Sequence, residues 1–411
     1  MPFEYKCLLC DRLINSDQIT LHKQKHTDAY EYATLWPIYD PFIDFCYDVD
    51  IPIYSSKIIA DTIGVKKVYI LDEGYNYSGS MKDYLVKRSI DIGIKNNIKF
   101  FNVASSGNHA ISLAKMTQLY DYKAVIFIPA SSVKIKHLSC FDNILIIGVR
   151  NSNYEDVYSL SNQLNIKGLF NANASNEILI PGLQIVSRQI CSLLPQPTHI
   201  LAGVGNGTYL SGITWGLEHT IDTIPKIIPV GMKNAFPFEN ALFNKVKIFK
   251  KDSYDVTDIY EAAGSIAVES YNSPHLYHCI KLSNGFIFGN LINNDLRKAY
   301  LLLMNDEYLT KKCVIPEPTG IMGLAAALKY KKAFTGDDIL LISFTGHALS
   351  ALLSIKRLIP EIYNTLISSA KKNKKNFSFQ INNNQRRNII YIDKNIKMSM
   401  LNTIVQNWMY Q

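Results

Sequence analysis

The segment Ser78-Gly79-Ser80-Met81-Lys82-Asp83-Tyr84 stands between a strand pattern and a helix pattern, and its reading decides the fold. Upstream, Val65-Lys66-Lys67-Val68-Tyr69-Ile70 is short and dense in β-branched and aromatic residues, as a strand requires. Downstream, Leu85, Val86, Ile90 and Ile94 recur at helical spacing between Tyr84 and Lys95. The small polar residues and single glycine between them let the chain turn sharply and leave amides open at a helix start. Lys82 stands on that first turn, where the helix dipole disfavours a cation and helps lower the amine pKa. A lysine so placed can form a Schiff base with an aldehyde cofactor, or can simply be a solvated lysine near a helix start.

Outward from this segment, residues 65 to 358 alternate between the two periodicities. Strands are expected at 65–70, 98–104, 123–128, 144–149, 168–172, 198–203, 226–232 and 338–344. Helices are expected at 81–96, 107–119, 154–164, 183–194, 209–218, 294–305, 320–331 and 347–358. Such alternation predicts an α/β fold, with parallel sheets flanked by helices. Residues 236–292 break the rhythm and are expected to carry a lid or substrate elements.

In α/β sheets ligands sit beyond the carboxyl ends of strands, and three further segments occupy such ends. Ala104-Ser105-Ser106-Gly107-Asn108-His109 offers two hydroxyls, an amide and helix-start N–H groups. That set suits a carboxylate and a phenolic or carbonyl oxygen, although an ordinary N-cap loop looks the same. Gly203-Val204-Gly205-Asn206-Gly207-Thr208 follows the strand His199-Ile200-Leu201-Ala202. Its glycines let the backbone wrap a phosphate in front of a helix N-terminus. No Gly-Lys-Ser/Thr follows, and the dinucleotide spacing with its downstream acid is missing, so a nucleotide is not expected. Ile342-Ser343-Phe344-Thr345-Gly346-His347 ends the last strong strand and offers a hydroxyl to a heterocyclic nitrogen, unless Thr345 is another helix cap.

Residues 1–30 read as a separate module. Cys7, Cys10, His22 and His26 give C-x2-C-x11-H-x3-H, one residue short of the commonest C2H2 finger spacing. Two thiolates and two imidazoles can share one tetrahedral zinc. Tyr5, Ile14 and Ile19 fall where such a finger keeps its small core. A single finger with few basic residues reads DNA poorly, so its expected job is to staple the N-terminus to the body. The organisation that follows is a zinc-finger-like module at 1–30 and a connector at 31–64. A catalytic body covers 65–360, with a smaller subdomain at about 98–165 inserted in it. A basic C-terminal extension covers 361–411.

Composition limits the function classes. Apolar residues make up 47% and charged residues 19%, as in an ordinary folded protein. No apolar run approaches a membrane-spanning length, so no membrane partner is expected. No export signal and no disulfide-like spacing appear around the seven cysteines, which places the expected site of action in a reducing cytoplasm. The net charge of +8 is partly local, through Lys371, Lys372, Lys374, Lys375, Arg386 and Arg387. That cluster reads as a solvated tail, and a nucleic-acid partner is not expected.

Together, and in this order, the four segments resemble the fold type II family of pyridoxal-phosphate enzymes, the tryptophan synthase beta-like fold, and within it the threonine synthase branch. The resemblance covers roughly residues 50–360. Threonine synthases carry a Gly-Ser-Phe-Lys-Asp-Arg-like segment, matched here by Gly79 to Tyr84, and a Ser-Ser-Gly-Asn loop, matched by Ser105 to Asn108. Their Val-Gly-Asn-Gly-Gly loop is matched by Val204 to Thr208 and their Thr-Gly-His by Thr345 to His347. The resemblance implies that Lys82 holds pyridoxal 5'-phosphate and shuttles protons. It implies that Asn108 contacts the cofactor's 3-hydroxyl and that Gly205, Asn206, Gly207 and Thr208 hold its phosphate. Thr345 would face the pyridine nitrogen. Ser105, Ser106, Gly107 and Lys136, with Lys134 and His137, are substrate-binding candidates, and Glu317-Pro318-Thr319-Gly320 matches a family stretch near the cofactor ring.

Tyr84, Thr208 and Ala348-Leu349-Ser350 depart from the branch, where arginine, glycine and Gly-Leu-Lys stand. The expected activity is a carbon–oxygen lyase acting on a small amino acid such as O-phosphohomoserine, with phosphate release. The alternatives are β-replacement or β-elimination on serine, O-phosphoserine or threonine, and a non-catalytic binding relative. A homodimer is left open.

Overall fold

The computed structural model describes residues 4–8, 10–15, 18, 22, 35–39, 50–105, 107–132, 134–236, 261–265, 272–361, 363–364 and 388–410. In chain order the first strands are Glu4–Cys7 (β1), Leu13–Asn15 (β2), Leu35–Tyr39 (β3), Ile53–Ser55 (β4), Lys67–Asp72 (β5), Phe100–Ala104 (β6) and Lys123–Pro129 (β7). They continue as Ile144–Arg150 (β8), Leu169–Asn171 (β9), His199–Gly203 (β10), Lys226–Met232 (β11), Phe288–Leu291 (β12), Ile339–Phe344 (β13) and Ile389–Asp393 (β14). The helices that bear on function are Lys82–Lys95 (α1), Asn108–Leu119 (α2), Thr208–Glu218 (α3), Ser273–Leu282 (α4) and Met398–Met409 (α5).

The chain divides into two compact units, Met1–Met81 with Ile180–Asn373, and Lys82–Leu179 with Lys374–Gln411. In the first, a six-stranded sheet has the order β12-β11-β10-β13-β5-β4. β10, β11, β12, β13 and β5 pair in parallel, and only β4 runs antiparallel. β13, Ile-Leu-Leu-Ile-Ser-Phe, is buried along its whole length and apolar but for Ser343, as in a strand covered on both faces. Val68, Ile70, Leu201, Ile228, Leu340 and Ile342 join Leu296, Tyr300 and Leu324 in one core. Burial of each such aliphatic side chain contributes about 1.5–3 kcal/mol. Because β10, β13 and β5 are parallel neighbours, Gly203, Thr345 and Asp72-Glu73 lie at carboxyl ends on the same side of the sheet.

The same unit holds a three-stranded antiparallel sheet, β2-β1-β3, with Tyr5, Cys7, Ile14 and Leu35 as its buried cluster. β3 falls in the stretch read as a connector, so the module reaches past residue 30. Ile19 lies outside the described residues, as does much of 236–292. The described part of that stretch includes α4 and β12.

The second unit is a five-stranded parallel sheet of order β14-β8-β7-β6-β9. It begins at α1, earlier than the expected residue 98, and takes in the end of the chain. β14 pairs with β8, with Arg150 over the Tyr391 ring at 5.8 Å. α5 buries Leu401, Val405 and Met409, spaced four apart, and sets Tyr410 near Phe100. Residues 389–410, read as part of a basic extension, therefore give this unit a strand of its sheet and a helix. The basic cluster from Lys371 to Arg387 lies outside the described residues.

Residues 347–358, read as one helix, form a 3-10 turn at Ala348–Ala351 capped by His347 and a short helix at Leu352–Leu358. Among the described residues, no helix is long and apolar enough to cross a membrane.

Candidate active site

The phosphate-loop candidate is built on β10 and α3. Gly207 is the N-cap of α3 at φ 89°, a left-handed conformation that favours glycine. It carries no side chain to compete for the first helical N–H groups. A Cβ at Gly205 would lie 2.7 Å from the Gly264 carbonyl oxygen, so the backbone comes as close there as glycine allows. Thr208 is buried, and its Oγ1 donates to Asn272 Oδ1 at 3.1 Å. A narrow backbone cradle before an eleven-residue helix fits a phosphate dianion.

The next residue, Tyr209, donates its hydroxyl to Glu73 Oε1 at 2.6 Å. Asn76 donates to the other Glu73 oxygen at 2.7 Å, and Glu73 is fully buried. Burial, followed by the Glu73 charge, holds the Tyr209 phenol protonated far above its usual range. Beside it, burial raises Asp72 to about 7, against one stabilising hydrogen bond from the Gly74 N–H.

The chain leading into Lys82 is pinned to the end of β13. Met81 N–H donates to Thr345 O at 3.0 Å, Ser80 bridges Gly346, and His347 N–H donates to Gly79 O at 2.9 Å. On the other side, Glu317 N–H donates to Gly346 O at 2.7 Å and its carboxylate accepts from Ser350 at 2.8 Å. The Glu317–Gly320 stretch thus lies against Thr345-Gly346-His347. Burial lowers His347 to about 4, and its Nδ1 accepts from Leu349 N–H.

In the second unit Lys82 opens α1, one peptide beyond Met81. Asp83 is fully buried and accepts from Ser112 at 2.5 Å. His109 is buried, and its Nε2 has no hydrogen-bond partner among the described residues. Burial, helped by the nearby Lys82 charge, lowers it to about 3, so the ring is neutral. Gly107 caps α2, its N–H donates to Ser105 Oγ at 3.2 Å, and Asn108 is the first helical residue. Ser106 lies outside the described residues. Lys136 and His137 sit on a four-residue turn, Ile135–Leu138, after Lys134, and burial lowers the His137 pKa. Gly205, Asn206, Gly207, Thr208 and Thr345 therefore belong to adjacent strand ends of one unit. Lys82, Ser105, Gly107, Asn108 and Lys136 belong to the other.

A second cluster lies in the N-terminal sheet. The ligand atoms of Cys7, Cys10 and His22 all lie within 4.8 Å of one another, and Cys10 Sγ stands 3.7 Å from His22 Nε2. A tetrahedral zinc bound by sulfur and nitrogen sets that edge at about 3.5 Å. A tight turn presents the thiols: Asp11 N–H donates to Cys7 O, Cys7 N–H donates to Arg12 O, and Asp11 has φ 58°. The donor set fits a thiolate-binding metal. His26 lies outside the described residues.

A backbone phosphate cradle and a helix-start lysine, on parallel α/β sheets, define a class of cofactor enzyme. The family model of the pyridoxal-phosphate dependent enzymes matches residues 49–346, and the chain belongs to that family. Among relatives, the threonine synthase of Methanocaldococcus jannaschii is 23% identical over 350 residues, covering 80% of this chain and 82% of that protein. Among solved structures, the L-serine ammonia-lyase of Rhizomucor miehei superposes with a TM-score of 0.62 at 14% identity, over 76% of this chain and 98% of that one. Maize serine racemase gives 0.61 at 19% identity, over 79% and 93%. The expectation of a threonine synthase-like enzyme of fold type II is borne out.

Glu73, Asn76, Tyr209 and Asn272 were not singled out from the sequence. Glu73 follows the carboxyl end of a strand, the one signal that could have marked it.

Proposed function

We propose that the protein is a pyridoxal-phosphate-dependent lyase of the threonine synthase type, acting on a phosphorylated amino acid related to O-phosphohomoserine with release of phosphate. The observation that carries this reading is the hydrogen bond from Met81 to Thr345, which ties the approach to Lys82 to a residue with a neutral hydroxyl. Lys82 would hold the cofactor, Gly205 to Thr208 its phosphate, Asn108 its 3-hydroxyl and Thr345 its ring nitrogen. When bound, the cofactor supplies the sink for the electron pair released at Cα. Thr345 offers no carboxylate to keep that nitrogen protonated, which tempers the sink and favours loss of a leaving group over transamination. His109, held neutral, adds no positive charge beside Lys82, and the Lys82 amine is the group that moves the proton.

A panel of O-phosphohomoserine, O-phosphoserine, serine and threonine, with phosphate and keto-acid readouts, tests this. Phosphate release from O-phosphohomoserine with little keto acid is expected. Robust transamination, with no elimination or replacement on any substrate, would overturn it. A second reading, elimination or replacement on serine, O-phosphoserine or threonine, draws support from Ser350, which hydrogen-bonds Glu317 where the branch has a lysine. Keto acid and ammonia from serine or threonine would select it.

Zinc at Cys7, Cys10, His22 and His26 would be structural, since four protein ligands leave no open position. About one zinc per chain is expected by metal analysis. Thiolate ligands of this kind suit a reducing compartment such as the cytoplasm.

A further inference from the structure

The cysteine–histidine cluster and the phosphate loop are joined by a chain of buried hydrogen bonds. β1 carries Cys7 and pairs with β3, placing Cys7 opposite Leu35. The Leu35 carbonyl lies 2.8 Å from His275 Nε2. A carbonyl only accepts, so Nε2 carries the proton and Nδ1 of the neutral ring is an acceptor. Asn272 Nδ2 faces that Nδ1 at 3.4 Å, and Asn272 Oδ1 accepts from Thr208 Oγ1 at 3.1 Å. Thr208 is 2% exposed, and Asn272, His275 and Leu35 are 0% exposed, so water does not substitute for any of these partners. Every donor points the same way, from the phosphate loop toward the hairpin sheet. The Thr208 hydroxyl gives its proton to Asn272, so the donor Thr208 would offer a phosphate is its backbone N–H.

A second connection runs in parallel. Trp215 in α3 donates its indole N–H to Pro37 O at 2.7 Å, and Trp36 donates to Glu218 at 3.0 Å. The Trp36 ring stands edge-on to His275 and His278, with centroids 5.7 and 4.8 Å apart. β3 is therefore fastened both to α3, which begins at Thr208, and to α4, whose N-cap is Asn272. The sheet's own buried cluster is the four residues Tyr5, Cys7, Ile14 and Leu35, with Trp36 buried toward α3 and α4. A core that small does not order a hairpin unaided, and metal ligation is the usual remedy.

We propose that Asn272 and His275 are positioning residues for the phosphate loop, and that a metal at Cys7, Cys10 and His22 braces them, so that metal occupancy sets the affinity for a phosphorylated ligand. This rests on the cofactor and zinc readings above.

The test uses the full-length, zinc-loaded protein and two probes, pyridoxal 5'-phosphate and pyridoxal, which lacks the phosphate. Stripping zinc with a chelator is expected to weaken pyridoxal 5'-phosphate binding about tenfold, reversibly on zinc return, and pyridoxal binding less than about twofold. Cys10→Ser, at an exposed ligand, is expected to reproduce the stripped state. His275→Phe is expected to lose the same affinity with zinc bound and to lose no more on stripping. His275→Gln, which keeps a donor near the Nε2 position, is expected to recover most of the affinity. Should His275→Phe fail to fold, chelation and Cys10→Ser decide alone. Equal loss for both probes would mean general loosening and would overturn the proposal, as would protein purified without metal. Tight binding that ignores the metal would sink this inference alone. No binding of either probe to the zinc-loaded protein would sink the cofactor reading with it.

Discussion

Asp72 shows how much the environment of a single residue departs from its sequence. Burial at the end of β5 raises its carboxyl from 3.8 to about 7. Between those values the native protein holds a proton that the unfolded chain has lost. The stabilisation is complete below pH 3.8 and disappears as the pH rises through about 7. Asp72→Asn is therefore expected to match the parent near pH 4 and to exceed it by about 1–4 kcal/mol at pH 8, as urea unfolding at both values would show. Equal stability at pH 8 would contradict the burial argument. Lys82 and the Gly205–Thr208 loop could be singled out as candidates because their motifs lie in consecutive residues. Glu73 was not, since its partner Tyr209 lies 136 positions away, and neither was Asn272, 64 positions from Thr208.

Among elements, the start of α3 combines a tight contact with a left-handed backbone. Gly207 combines a φ of 89° with a Cβ position 3.1 Å from Leu276 Cβ. Gly207→Ala is expected to cost about 1–2 kcal/mol from the left-handed backbone. It is also expected to weaken pyridoxal 5'-phosphate binding at least tenfold, by turning the first N–H groups of α3. Thermal unfolding with and without the cofactor measures both, and a variant that binds as tightly as the parent would refute the cradle. The long buried strands were readable within about two residues, because β7, β8, β10, β11 and β13 are apolar runs with turn residues at their ends. β4 and β12, three and four residues long, escaped notice within the stretches read as a connector and as a break in the alternation. β14 and α5 were hidden by the basic run before them, although Leu401, Val405 and Met409 mark a helix face.

At the scale of the whole molecule, the order of four strand-end motifs identified the family, whereas the arrangement of the N-terminal sheet against α3 and α4 did not show in any local pattern. In the proposed function the reaction type rests on the neutral residue at 345. Thr345→Asp is expected to raise keto-acid formation by transamination several-fold at the expense of phosphate release. An unchanged product ratio would argue that Thr345 does not govern the electron sink. All of this depends on one covalent attachment. Borohydride reduction of the protein loaded with pyridoxal 5'-phosphate, followed by peptide mapping, reads it directly. The label is expected on Lys82, with Lys82→Ala unlabelled there. A label on another lysine, or none, would contradict the account.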